Sequence, residues 1–135
     1  MGGLLRTTKV YIWAGLIDFM DVWLKNIFTW TPRILSIIFI AFISVFALDV
    51  FGAYVFPELL LALFIHLIPI FALIATTIIA WKWENIGGFL FFGLALAFTF
   101  YFETYNQLLP FFVISFPVFL ISGLFLLNYY VVQRN

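Results

Sequence analysis

Cysteine is absent from this chain, there is a single histidine, and only six Lys/Arg and six Asp/Glu carry formal charge among 135 residues. Each scarcity excludes something. Without cysteine there are no disulfides, thiolate metal sites or lipidated cysteines. One histidine falls short of the three or four ligands of a protein metal site, and a b-type haem would need a second histidine. Charged residues make up 9%, against about 25% in a soluble domain. The formal net charge of zero leaves no basic surface for nucleic acid. Also missing are an HExxH pair, a glycine-rich phosphate loop and a Ser-His-Asp constellation, so neither enzymatic activity nor a cofactor is expected. The opening Met1-Gly2-Gly3-Leu4-Leu5-Arg6 lacks the Ser/Thr of a myristoylation signal, and no removable signal peptide is expected.

What the chain does contain is apolar: 67% hydrophobic residues, 23% aromatic and a mean hydropathy of +1.23. A chain this short cannot hide that surface within itself, so the expected solvent is lipid. Four runs reach the roughly 17–25 residues that cross about 30 Å of hydrocarbon: Ile34–Val55, Leu59–Trp81, Gly87–Phe102 and Leu108–Val132. In lipid every backbone group needs an internal partner, and no barrel-like alternation is present, so these runs are expected to be helices. Pro32, Pro57 and Pro110 suit first helical turns, where a missing N–H costs nothing. Gly87-Gly88 suggests a tight connection after Glu84-Asn85. The expected architecture is an all-α membrane four-helix bundle over residues 32–135.

All six cations fall on one side of that arrangement. Arg6, Lys9, Lys25 and Arg33 precede the first run, Lys82 lies between the second and third, and Arg134 follows the fourth. Positively charged connections stay in the cytoplasm, so a multi-pass protein of the cell membrane with both termini cytoplasmic is expected. Residues 1–31 read differently. Trp13, Leu16, Ile17, Met20, Trp23, Leu24, Ile27 and Phe28 share one helical face, and Asp18, Asp21, Lys25 and Thr29 the other. That pattern suits an amphipathic helix lying in the cytoplasmic interface. A fifth span would bury two aspartates and a lysine and break the charge asymmetry. Trp81, Trp83, Tyr129 and Tyr130 fall at the inner boundary as interface anchors, and Tyr54, Tyr101 and Tyr105 at the outer one.

Ionisable residues inside the spans are few. Asp49 and His66 lie about 9 and 12 Å below the outer edge at 1.5 Å per residue, with Glu58 and Glu103 at outer ends. Glu58, Ala62, His66, Pro69, Thr76, Thr77 and Ala80 occupy about 100° of the second helix. Such small and polar stripes mark helix–helix contacts in membranes. Pro69 leaves the Ile65 carbonyl without its donor. Gly88, Ala95, Thr99 and Glu103 form a stripe on the third helix. Ser115, Ser122 and Tyr129 repeat along the fourth, where Pro117 suggests a kink. Two readings stand: Asp49, Glu58, His66 and Glu103 converge on an outward polar site for a proton, cation or head group, or Asp49 and His66 hydrogen-bond each other and lock packing.

The strings Arg33-Ile34-Leu35-Ser36, Ala47-Leu48-Asp49-Val50-Phe51, His66-Leu67-Ile68-Pro69 and Ala80-Trp81-Lys82-Trp83-Glu84, followed by Gly87-Gly88, resemble a family of small prokaryotic membrane proteins catalogued as a domain of unknown function. The resemblance covers roughly residues 30–105. It implies a compact helical membrane domain, brings no activity, substrate or cofactor, and overlaps Asp49, His66, Pro69, Trp81 and Glu84. The expected role is a structural or partner-binding membrane subunit, in contact with lipid and with a second copy or another membrane protein. The alternative is a small transporter or channel component using Asp49 and His66.

Overall fold

A computed structural model describes residues 2–133. Every regular element among them is helical. Helix α1 (Gly2–Leu48) is followed by a break at Asp49 and the short α2 (Val50–Ala53), then by α3 (Glu58–Lys82) and α4 (Glu84–Tyr101). The last span, Leu108–Gln133, comes in sections: α5 (Leu108–Pro110), a π-helical stretch Phe111–Ser115, α6 (Phe116–Leu127) and a second π-helical stretch Asn128–Gln133. Arg134, one of the six cations, lies outside the described residues.

Helix order around the bundle follows the chain. α1 packs on α3 and α6, and α4 packs on the same two, so α1 and α4 stand diagonally opposite. Phe39, Leu73, Phe91, Ala95, Val118, Ile121 and Phe125 make up most of the common core. Phe91 and Phe125 stack with ring centroids 5.6 Å apart and planes 10° from parallel. Hydroxyls in the spans bond within their own helices, Thr76 to the Ala72 carbonyl, Thr77 to Leu73 and Thr99 to Ala95. Ser122 instead crosses to the Gly88 carbonyl at 2.8 Å, tying α6 to α4.

Several boundaries differ from those expected. α1 is one 47-residue helix, about 70 Å long at 1.5 Å per residue, and it runs through the boundary at residue 31. Pro32 removes one backbone donor, the partner of the Phe28 carbonyl. Around it Thr29 and Thr31 hydroxyls bond back to the Lys25 and Ile27 carbonyls, and no glycine interrupts the helix there. The first span carries on through a one-residue irregularity at Asp49 and ends at Ala53, two residues short of the expected Val55. Gly87-Gly88 is not a connection: α4 starts at Glu84, and Trp83 alone separates it from α3. The glycines are needed for contact. A Cβ on Gly87 would lie 2.2 Å from the Cα of Ala80, and one on Gly88 would lie 2.7 Å from the Leu126 side chain.

At the opposite end Glu103 closes α4 in the left-handed conformation, with φ 51° and ψ 32°, a helix-ending geometry usually given to glycine or asparagine. The buried Thr104 hydroxyl then meets the Ser115 hydroxyl at 2.6 Å, fixing the turn onto the start of the last span.

Candidate functional site

The bundle has two ends with different chemistry. At the Lys82 end, where Ala80 and Gly87 bring α3 and α4 into backbone contact, a polar cluster is buried. Glu84 is 4% exposed. Its Oε1 accepts a hydrogen bond from Nη2 of Arg33 at 2.9 Å, and its Oε2 accepts one from Nδ2 of Asn128. Thr29 Oγ1, whose proton goes to the Lys25 carbonyl, lies 3.4 Å from Asn128 Oδ1, and the Arg33 guanidinium lies 5.7 Å from the Trp30 ring centroid. One carboxylate thus joins α1, α4 and the last span. Charge-assisted bonds to both oxygens satisfy it, and with its acceptors committed the cluster reads as a fastener.

At the Asp49 end the helices separate. The bulky Phe98, Tyr101 and Phe102 stand where Gly87 and Gly88 stand at the other end, and a cavity of about 420 Å³ opens between α1, α3, α4 and the first π-helical stretch. Asp49 and His66 both line it, with Phe46, Pro69, Phe98, Tyr101 and Phe102. Asp49 sits at the one-residue junction between α1 and α2, with helical backbone angles of φ −61° and ψ −25°, and lines the cavity. No hydrogen bond to its carboxylate is present among the described residues, and none joins it to His66. The imidazole has a different partner: Nδ1 is 2.8 Å from the Ala62 carbonyl oxygen. A carbonyl only accepts, so Nδ1 carries a proton, and no hydrogen bond to Nε2 is present among the described residues.

The other candidates are distributed unevenly. Glu58 is exposed at the start of α3 and Glu103 is exposed in the turn after α4, and neither lines the cavity. Along the α3 stripe, Thr76, Thr77 and Ala80 are buried near the Lys82 end, while His66 is exposed to the cavity. Gly88, Ala95, Ser115 and Ser122 are buried; Pro69, Thr99 and Tyr129 are half-buried; Trp81, Trp83 and Tyr130 are exposed. Among the described residues no three of His, Cys, Asp and Glu come together. The cluster at the Lys82 end is what sequence reasoning passed over. Glu84 was flagged by resemblance alone, and Asn128, a fully buried amide in an otherwise apolar segment, was the available signal.

Four helices long and apolar enough to cross a membrane, tied at one end by a buried ion pair and open at the other, define a small all-helical protein of membrane-spanning proportions. The chain belongs to the DUF7670 family, a domain of unknown function, whose profile matches residues 20–135. That match takes in the last span and the end of the N-terminal segment, both beyond the 30–105 stretch that carries the resemblance. Nothing among curated proteins or solved structures matches the chain.

Proposed function

We propose that the protein is an integral subunit of the cell membrane that binds partners rather than catalysing a reaction, and that it pairs with a second copy of itself through the outer face of α1. Four helices cross the bilayer with the Lys82 end and both termini in the cytoplasm, in keeping with the placement of the cations.

One observation carries the pairing. Residues 2–28 of α1 are exposed throughout, although many are large and apolar. Trp13, Leu16, Met20, Trp23, Ile27, Trp30, Ile34 and Ile37 follow one another at alternating three- and four-residue steps, and each is about half exposed or more. That spacing is a coiled-coil seam. Asp18, Asp21 and Lys25 lie off it. With α1 about 70 Å long and hydrocarbon about 30 Å thick, a straight α1 carries the first half of the seam out of the lipid. Covering five such side chains at roughly 2 kcal/mol each is worth on the order of 10 kcal/mol before the cost of association.

A second reading places residues 10–31 flat in the cytoplasmic interface. Pro32, at the point where the helix would bend, and three tryptophans on or beside the apolar face favour it. Cysteine cross-linking in native membranes separates the two, and the cysteine-free chain gives a clean background. Pairing predicts that Ile27→Cys and Met20→Cys form disulfide-linked dimers on mild oxidation, while Asp18→Cys does not. Equal or absent cross-linking at all three positions sinks the pairing, and slow labelling of Met20→Cys by aqueous maleimide without any dimer supports the interfacial placement.

A further inference from the structure

We infer that the cavity at the Asp49 end is a binding site for an organic ammonium cation with an apolar body. This goes beyond pairing through α1 and stands or falls separately from it.

The wall of the cavity offers negative charge and acceptors. Asp49 contributes a carboxylate with no hydrogen-bond partner among the described residues. His66 has its Nδ1–H held by the Ala62 carbonyl, and in the neutral imidazole this leaves Nε2 as an acceptor. A fixed Nδ1–H is the usual device for presenting the other imidazole nitrogen to a ligand. In the same turn Pro69 has no N–H to give the Ile65 carbonyl, and both residues line the cavity. Around these groups stand the rings of Phe46, Phe98, Tyr101 and Phe102, whose faces attract cations. Arg33 and Lys82 lie at the far end of the bundle, and among the described residues no Lys or Arg lines the cavity.

Other ligand classes fit less well. An anion meets a carboxylate and no Lys or Arg. A calcium or magnesium ion needs about six oxygen ligands, and the cavity supplies one carboxylate. A neutral apolar molecule would displace the water around Asp49 and leave its charge unpaired in an apolar site, which is costly. A protonated amine matches every feature: its N–H groups have the carboxylate and Nε2 as acceptors, its charge has the ring faces, and its hydrocarbon has the remaining wall. The volume of about 420 Å³ lies within the roughly 300–1,000 Å³ of small-molecule sites.

The test is calorimetric titration of the full chain in phosphatidylcholine nanodiscs with three probes of equal length: 4-phenylbutylammonium, neutral pentylbenzene and anionic 4-phenylbutanoate. The inference expects saturable binding of the cation alone, weakened at least tenfold by Asp49→Asn and severalfold by Tyr101→Leu. The Asp49 carboxylate accepts no hydrogen bond among the described residues, so Asp49→Asn should fold; its melting temperature is recorded alongside. Ile65→Trp, which enlarges a side chain of the cavity wall and leaves Asp49 in place, should also abolish binding while Ile27→Cys dimers still form in its background. Absence of saturable cation binding to the wild type overturns the inference. So does binding that survives Asp49→Asn or Ile65→Trp, or pentylbenzene saturating the site as tightly as the cation.

Discussion

Four glycines in or near the bundle form a graded test of how its helices approach. Gly87 is the extreme case. A methyl group there would stand 2.2 Å from both Cα and Cβ of Ala80 and 2.9 Å from its backbone nitrogen, where carbon atoms need about 3.5 Å or more. The obstruction is backbone, so no rotamer relieves it and α3 and α4 must move apart. The one-residue connection at Trp83 and the buried Glu84 resist that movement. Gly87→Ala should therefore reach the top of the overpacking range, about 3 kcal/mol. At Gly88 the nearest atoms, at 2.7 Å, belong to the Leu126 side chain, with its backbone nitrogen at 3.2 Å; the leucine yields in part, and Gly88→Ala should cost about 1–2 kcal/mol. Gly93 and Gly123 have nothing within 4 Å of a Cβ. There alanine should stabilise by about 0.5–1 kcal/mol through helix propensity. The span from Gly87 to Gly93 is then about 4 kcal/mol, nearly a thousandfold in the unfolding constant. Reversible unfolding of the four variants in mixed micelles, titrated with SDS and followed by far-UV circular dichroism, measures it. If Gly87→Ala falls within 1 kcal/mol of wild type, or Gly93→Ala is equally damaging, the close approach of α3 and α4 is wrong.

Two further predictions concern charge and orientation. Glu84→Ala should cost about 3–5 kcal/mol, because Arg33 is left without its partner inside the bundle and Asn128 loses its acceptor. In the same SDS titration the Glu84→Ala/Arg33→Leu double variant should recover much of that loss, and additive losses would mean that the two side chains do not interact. Cysteines introduced at Ala53 and Gln133 should react with membrane-impermeant maleimide from opposite sides of the membrane; labelling of both from one side refutes the four-span orientation.

Much of the helical architecture was legible because long apolar runs follow simple rules. Runs of about twenty apolar residues gave four long helices, and their limits lie within a few residues of α3, α4 and the last span. The exceptions share one cause, that local residue chemistry was settled by contacts elsewhere. Gly87-Gly88 looked like a turn because glycine breaks helices, yet in α4 these residues serve Ala80 and Leu126, which no local pattern names. Helix order could not be read either, since a small-residue stripe says that a face is covered without saying by what. The candidate site was legible in part. Asp49 and His66 meet one cavity because their depths were countable along the two helices, whereas Glu58 and Glu103 were grouped with them by depth alone and face elsewhere. Glu84 was hidden by its position beside Lys82 and Trp83, which reads as a water-exposed connection.

The junction at Trp83 bears on how the protein is made. One residue spans at most about 3.6 Å, and in the proposed membrane orientation that leaves no loop to stay behind while α3 and α4 enter the bilayer in turn. In that orientation the two helices, with Ala80 seated on Gly87, would go in together as a hairpin. Lys82, at the foot of that hairpin with its ammonium 4.6 Å from the Trp83 ring, would then be the charge that stops the pair from being pulled through.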